Sequence, residues 1–247
     1  GFDTRLETRA AIKEFLPRDI AARDFDRKTV IPHSSDESDQ FKFGLVQFIN
    51  EARTLAKIDH ANVVRVRNFF EENGTAYLVM DYYDGVTLDE FLRRRSGKIP
   101  EKLAVDIMMP ILDGLREVHA QGFLHRDIKP QNIYLTQSGR PILLDFGAAR
   151  FAFGEKTRSL SVMLTPGYSP YEQYQRNGKQ GPWTDVYACG ATLYRMVTGE
   201  TPPEAFEREK GDVILAPSLH AVGASPAFHA AVLHALEREY DRRPENI

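Results

Sequence analysis

The first quarter of the chain has the pattern of mixed strand and helix. Residues 9–16 are mainly apolar and end at Pro17, which predicts a short strand. On the two-residue period of a strand, Ala11, Lys13 and Phe15 share one face. The dipeptide Asn73-Gly74 precedes a second apolar run at residues 75–80, and Asn-Gly strongly favours a tight hairpin turn. These segments predict the strands of a small sheet.

Residues 41–58 carry apolar side chains at the spacing of an amphipathic helix. Glu51 interrupts the apolar face, three residues after Phe48 and four before Leu55. A carboxylate on a core-facing stripe needs a cationic partner, because otherwise its burial costs several kcal/mol. The acidic residues 34–39 lack the spacing and the glycine of a calcium loop, and are predicted to form a solvated loop.

The character of the chain changes near Asp84, after which the pattern is mainly helical. Thr87 opens a capping-box pattern, residues 100–120 predict a helix kinked at Pro110, and a strand pair is expected at residues 133–135 and 142–144. We predict an α+β fold of two lobes. Residues 1–83 form a small β-sheet lobe with one long helix, and residues 84–247 a larger, mainly helical lobe, with a cleft between them as the expected ligand site.

Composition excludes some classes of protein without naming a function. The 247 residues carry a formal net charge of −3, which argues against the basic face of a nucleic-acid-binding protein. No stretch approaches the roughly 20 apolar residues that span a bilayer, so no membrane contact is expected from this segment. The single cysteine, Cys189, fits a reducing compartment and has the helical spacing of a buried structural thiol.

The most informative segment is a polar loop just before a predicted strand, His125-Arg126-Asp127-Ile128-Lys129-Pro130-Gln131-Asn132. Asp127 can accept a hydroxyl proton, Lys129 supplies a positive charge, and Asn132 offers a neutral oxygen to a cation. Asp145 follows the next apolar run directly and precedes Phe146-Gly147. A carboxylate at the end of a buried strand is well placed to bind a metal ion.

Together these residues supply the parts that phosphoryl transfer from ATP requires. Asp145 and Asn132 are oxygen ligands of the kind that Mg²⁺ prefers. Asp127 can orient the attacking hydroxyl and accept its proton. Lys13 can hold the phosphates, with Glu51 holding Lys13 in turn, which also explains the carboxylate on an apolar face. ATP and Mg²⁺ are therefore the predicted cofactors.

These motifs, in this order, resemble the signature set of protein kinases. The matching segments are Ala10-Ala11-Ile12-Lys13, His125-Arg126-Asp127 with Asn132, and Asp145-Phe146-Gly147. Ser169-Pro170-Tyr171-Glu172 resembles the Ala-Pro-Glu element, and Arg243 matches the arginine that pairs with its glutamate. The sequences of residues 11–17 and 164–168 are most similar to those of bacterial kinases of the eukaryotic type. The resemblance covers nearly the whole chain.

The resemblance implies a serine/threonine protein kinase. Lys129 is typical of that class, and Thr165 matches the threonine that contacts this lysine and the catalytic aspartate. The expected substrate is therefore a serine or threonine hydroxyl on a protein, and the need for ATP implies a cytoplasmic location.

The same resemblance implies an adenine pocket. Met80 would guard its back, Asp81 and Tyr83 would offer backbone groups to the adenine edge, and Ala11 would pack against the ring. Plain core packing remains the alternative for Met80 and Ala11.

The resemblance also suggests control by phosphorylation. Arg126, assisted by Arg150, would pair with a phosphate on the activation loop. We expect autophosphorylation at Ser159 or Ser161, which implies self-association, with Thr157 a weaker candidate. The alternative is that these hydroxyls only make an exposed loop more soluble.

The chain departs from the family pattern at its beginning and end. The glycine-rich loop that covers the phosphates is not in the sequence, and neither is the final helix, so we expect catalysis from a complete parent protein. Ser169 replaces the usual alanine and Tyr171 is an extra residue before Glu172. Neither is expected to touch the chemistry.

Two other classes of protein remain open. A pseudokinase scaffold would share the fold without turnover, but usually loses an equivalent of Lys13, Asp127 or Asp145, all of which are present. A small-molecule phosphotransferase of the same fold would lack the peptide platform that residues 165–172 resemble.

Overall fold

The computed structural model describes residues 1–4, 6–146, 164–175, 177–210, 219 and 222–247. Its strands are β1 (Phe2–Asp3), β2 (Thr8–Glu14), β3 (Ala21–Arg23), β4 (Val30–Pro32), β5 (Val66–Glu72), β6 (Thr75–Asp81), β7 (Gly85–Thr87), β8 (Ile133–Thr136) and β9 (Pro141–Leu143). Its α-helices are α1 (Ser35–Leu55), α2 (Leu88–Arg93), α3 (Glu101–Ala120), α4 (Tyr171–Tyr174), α5 (Pro182–Thr198) and α6 (Pro226–Ala235).

The sheet of the first lobe is antiparallel, in the order β1-β2-β6-β5. The predicted strand at residues 9–16 is confirmed as β2, and its register pairs Ala11 with Met80 and Lys13 with Leu78. Because alternate residues of a strand share a face, Ala11 and Lys13 lie on one side of the sheet. The register therefore sets Lys13 two residues along from the Ala11–Met80 pair.

The predicted hairpin at Asn73-Gly74 is also confirmed. Asn73 has φ 54° and Gly74 φ 70°, the left-handed pair that a tight hairpin turn requires. A Cβ at Gly74 would lie 2.8 Å from the Val30 carbonyl oxygen. This turn packs against β4, where the Val30 N–H donates to the Asn73 carbonyl at 2.8 Å.

The predicted amphipathic helix is α1, but the solvated loop predicted for residues 34–39 is wrong. Ser34 is the N-cap of α1 and accepts a hydrogen bond from the Glu37 N–H, and Asp36 and Glu37 occupy the first turn. Carboxylates there are stabilised by the partial positive charge of the helix N-terminus. The β3–β4 hairpin just before α1 was not anticipated, since neither three-residue strand has a clear alternation.

The second lobe is helical apart from a three-stranded sheet in the order β7-β8-β9. Thr87 caps α2 by accepting from the Glu90 N–H, and Pro110 lies inside α3. Helix α5 is almost wholly buried, including Cys189, and packs against α3 and α6. Within the described part of the chain, no helix is both long and apolar enough to cross a bilayer.

The β8–β9 pair, also as predicted, joins the lobes through backbone hydrogen bonds. The Val64 N–H donates to the Leu143 carbonyl at 3.0 Å, and the Leu143 N–H donates to the Asn62 carbonyl at 2.8 Å. Just after β9, the Leu144 N–H donates at 2.8 Å to the carbonyl of Asn132, which directly precedes β8. The loop that precedes β8 and the segment that follows β9 are therefore held side by side.

Candidate active site

The carboxylate of Asp127 is held by three neighbouring side chains. Its Oδ1 accepts from Lys129 Nζ and from Thr165 Oγ1, each at 2.8 Å, and its Oδ2 accepts from Asn132 Nδ2 at 2.8 Å. Thr165 Oγ1 also accepts from Lys129 Nζ at 2.9 Å. Thr165 lies 38 residues after Asp127, so the fold unites residues that the sequence only suggested should meet.

The backbone of this loop rests on a buried carboxylate that sequence reasoning missed. Asp185 accepts from the His125 N–H at 2.8 Å and from the Arg126 N–H at 2.7 Å. Its Oδ2 also contacts His119 Nε2 at 2.8 Å. Burial alone would raise the pKa of Asp185, but these contacts outweigh it and lower the pKa. The signal was available, because Asp185 is the one carboxylate of the apolar helix α5, and Glu51 had already been singled out as a carboxylate on an apolar face.

His125 joins the two aspartate loops as a neutral ring. Its Nδ1 accepts from the Asp127 N–H at 3.2 Å, so the proton is on Nε2, which donates to the Leu144 carbonyl at 2.8 Å. Complete burial lowers the pKa of His125 below its ordinary value of 6.5, which favours this neutral form. Phe146, also buried, packs on the ring with centroids 4.4 Å apart.

The predicted partner of Glu51 is Lys13. Lys13 Nζ lies 3.5 Å from Glu51 Oε1 and 3.1 Å from Asp145 Oδ1. Burial alone would lower the pKa of Lys13, but the two carboxylates outweigh it and raise the pKa. The lysine therefore stays charged and joins the sheet, helix α1 and the segment after β9.

A cavity of about 190 Å³ opens beside Asp145. It is lined by Ala11, Val64, Met80, Asp81, Tyr82, Tyr83, Tyr134, Leu144 and Asp145. All four residues predicted for an adenine pocket are among them. The other lining residues were missed, because nothing in the sequence around them marks a ligand contact: Val64, Tyr82, Tyr134 and Leu144. The Asp81 N–H already donates to the Arg65 carbonyl at 3.0 Å, so a ligand would meet Asp81 through its carbonyl.

The two predicted metal ligands form a donor set that suits Mg²⁺. Asn132 directs its amide nitrogen to Asp127, which leaves the amide oxygen as its acceptor. Asp145 adds a carboxylate whose side chain is 51% exposed. No group of three or more His, Cys, Asp or Glu side chains gathers as a metal site within the described residues. Mg²⁺ needs no such group, because it keeps several waters and uses one or two carboxylates together with substrate phosphates.

Thr165 is presented by a tight turn over Pro166-Gly167. Gly167 has φ 80°, and the Tyr168 N–H closes the turn on the Thr165 carbonyl at 3.0 Å. Ser169, which was not expected to touch the chemistry, supports the backbone of this turn. Its buried hydroxyl accepts from the Thr165 N–H at 3.2 Å, so Ser169 holds the residue that contacts Asp127.

The segment that follows is anchored by a buried ion pair, as the motif predicted. Arg243 donates to both carboxylate oxygens of Glu172, at 2.7 and 3.1 Å. Thr184 Oγ1 donates to the same carboxylate at 3.0 Å.

Several predicted residues lie outside the described residues, namely Gly147, Arg150, Thr157, Ser159 and Ser161.

Comparison with known proteins agrees with this geometry. Residues 21–227 match the model of the protein kinase domain, and the chain therefore belongs to the protein kinase family. A solved structure described as the apo form of PpkA-294 superimposes with a TM-score of 0.89 at 36% identity, over 99% of this chain and 86% of that one. The predicted α+β, two-lobed protein-kinase fold is thereby confirmed.

Bacterial serine/threonine-protein kinases are among the curated relatives. The chain is 33% identical over 248 residues to the serine/threonine-protein kinase PknL of Mycobacterium tuberculosis, covering 96% of this chain and 56% of PknL. It is 38% identical over 162 residues to the serine/threonine-protein kinase PkaA of Streptomyces coelicolor, covering 64% of this chain and 30% of PkaA. The chain thus spans about half the length of PknL and about a third of PkaA. The predicted resemblance to bacterial kinases of the eukaryotic type is confirmed.

Proposed function

We propose that the protein containing this chain transfers the γ-phosphate of ATP to serine or threonine hydroxyls on proteins. The observation that carries the proposal is the arrangement around Asp127, whose Oδ1 is 2.8 Å from both Lys129 Nζ and Thr165 Oγ1. A carboxylate held in this way is preorganised to receive a hydroxyl group. The names of the relatives, serine/threonine-protein kinases, support the same acceptor.

In the proposed reaction, the cavity beside Met80 binds the adenine, and Lys13 binds the phosphates while Glu51 holds it in place. Mg²⁺, bound by Asp145 and Asn132, would neutralise charge on the phosphates. Asp127 orients the substrate hydroxyl and accepts its proton as the oxygen bonds to the γ-phosphorus. The bond to the leaving ADP oxygen breaks.

Lys129 is placed to stabilise negative charge near the reacting oxygens, because its Nζ lies between Asp127 and Thr165. Thr165 shares both contacts and belongs to the segment that we assign to peptide binding. A preference for serine and threonine is consistent with this pair.

We propose that the boundary between the two lobes lies near Asp84. We also propose a cytoplasmic location, because ATP is supplied in the cytoplasm.

We also propose that the protein phosphorylates itself at Ser159 or Ser161, which requires two copies to meet. The support is the sequence resemblance alone, since both serines lie outside the described residues. Phosphopeptide mapping of active protein tests this directly, and an unmodified segment would count against it.

The experiment that tests the proposed function incubates the full-length protein with ATP, Mg²⁺ and a generic protein substrate. Phosphate incorporation is measured by mass spectrometry, beside an Asp127→Asn variant. We expect transfer to Ser and Thr that falls by 10²-fold or more in the variant, roughly the contribution of a general base. ATP binding without transfer would indicate a pseudokinase. Transfer only to small molecules would indicate a small-molecule phosphotransferase.

A further inference from the structure

The residue just before Asp127 has a backbone conformation that the surroundings must hold. Arg126 has φ 66°, a left-handed conformation that side-chain-bearing residues keep only where other contacts enforce it. On its N-terminal side, the two N–H groups of His125 and Arg126 are bound by Asp185. This leaves the next peptide unit, between Arg126 and Asp127, to be fixed by other groups.

Both ends of that peptide unit are hydrogen-bonded. Its N–H, from Asp127, donates to His125 Nδ1 at 3.2 Å. Its carbonyl, from Arg126, accepts from Gln173 Nε2 at 3.0 Å. Because a peptide unit is planar, holding its two ends sets its orientation and so the direction in which the Asp127 side chain leaves the backbone.

Gln173 is itself well anchored. Only 2% of its surface is exposed, and it follows Glu172, whose carboxylate is held by Arg243. It belongs to helix α4, in the segment that carries Thr165, and lies 47 residues from Arg126. The segment proposed to bind the peptide substrate is thus connected to Asp127 twice, through the Thr165 hydroxyl and through the Gln173 amide.

We propose that Gln173 is a positioning residue for Asp127, acting through the Arg126 carbonyl. It does not touch the reacting atoms. The inference rests on the proposed function, because it assumes that Asp127 accepts the hydroxyl proton. The Gln173 amide supplies a donor that a side chain of the same length without N–H groups cannot replace.

The test is Gln173→Met in the full-length protein, which keeps the length of the side chain and removes the donor. We expect kcat to fall about tenfold or more, since small misplacements of a catalytic group have effects of up to 10²-fold. The KM for ATP is expected to stay unchanged, because no cavity residue is altered. Gln137→Met is the matched control: Gln137 is exposed in the turn between β8 and β9, outside the segment assigned to peptide binding, and its variant should behave as the unmodified protein.

A second measurement separates positioning from general support of the fold. If Gln173 acts through Asp127, adding Gln173→Met to Asp127→Asn should not lower the residual rate further, because residues that act as a unit are not additive. An equal loss in both backgrounds, or a loss confined to the KM for ATP, would overturn the inference. So would a kcat equal to that of Gln137→Met.

One further variant and one comparison cover the other outcomes. Gln173→Asn keeps the amide but shortens the side chain by one methylene, so it is expected to show the same kcat loss, and replaces Gln173→Met if that variant does not fold. If Asp127→Asn itself leaves transfer unchanged, the proposed function fails. If Asp127→Asn abolishes transfer while the Gln173 variants remain fully active, only the present inference fails.

Discussion

Arg243→Met is expected to lower the free energy of unfolding by about 3–5 kcal/mol, the usual effect of breaking a buried ion pair. The Arg243 side chain is 0% exposed and that of Glu172 is 5% exposed. Methionine fills much of the same volume, so the cavity left behind is small. The cost comes instead from the carboxylate, which keeps its charge in the interior after its guanidinium partner is gone.

The contacts allow the magnitude to be divided. Besides its two bonds to Glu172, Arg243 donates to the carbonyls of Glu237 and Arg238, each at 2.6 Å. Glu172→Gln leaves those bonds, and the new amide oxygen can still accept from Thr184. Its loss is therefore expected to be smaller, about 1.5–3 kcal/mol, the range for a hydrogen bond to a charged group. The double variant Arg243→Met with Glu172→Gln removes both charges, so its loss of unfolding free energy should be smaller than the sum of the two single losses by about 2 kcal/mol.

The assay is urea unfolding followed by the fluorescence of Trp183, the single tryptophan of the sequence. Its ring stacks on Tyr240 and its carbonyl accepts from Arg243 at 3.4 Å, so the signal reports on this region. Gln175→Met serves as an exposed control with no expected loss. Single and double variants that add within about 0.5 kcal/mol, the limit expected of independent sites, would refute the reasoning. A loss below about 1 kcal/mol in Arg243→Met would do the same.

Three further predictions follow from other parts of the structure. Lys13→Met should weaken ATP binding about 10- to 100-fold through the loss of one charged contact, as measured by nucleotide titration; an equal effect of Lys57→Met, at an exposed lysine, would contradict this. His125 has a pKa lowered by burial from 6.5, so the unfolded chain takes up its proton first. The free energy of unfolding should stay level above pH 6.5 and fall below it by up to about 1.4 kcal/mol per pH unit. Urea midpoints measured from pH 5 to 7.5 should fall less steeply in His125→Gln than in the unmodified protein. Equal slopes in the two proteins would refute this. Gly74→Ala should lower the free energy of unfolding by about 1–2 kcal/mol more than Gly97→Ala. Both glycines have positive φ, but only at Gly74 would a Cβ lie against a carbonyl oxygen. Equal urea midpoints for the two variants would show that the clash is relieved.

Local signals account for most of what sequence reasoning obtained correctly. Asn73-Gly74 specifies its turn because both residues tolerate positive φ, and the interior of α1 follows from the spacing of its apolar residues. The same helix was predicted to begin too late, because an acidic run was taken for a loop. Whether such a run is solvated or capping depends on the helix behind it, and Ser34 supplies that cap.

The sequence by itself determined which chemical groups the site contains. Asp127, Lys13 and Asp145 stand in motifs that are informative because they occur together in one order, and Glu51 is conspicuous because a carboxylate is costly on an apolar face. The α+β protein-kinase fold was predicted from the resemblance of these motifs, taken together and in this order, to the protein-kinase signature set.

Only the tertiary structure decided how these groups are held. The bonds from Ser169 to the Thr165 backbone and from Gln173 to the Arg126 carbonyl join side chains to main chain. Every residue except proline carries the same N–H and C=O groups, so such partners leave no trace in composition or spacing. Positive φ at Arg126 is equally invisible in the sequence, because it arises from contacts made by residues distant along the chain, among them Asp185.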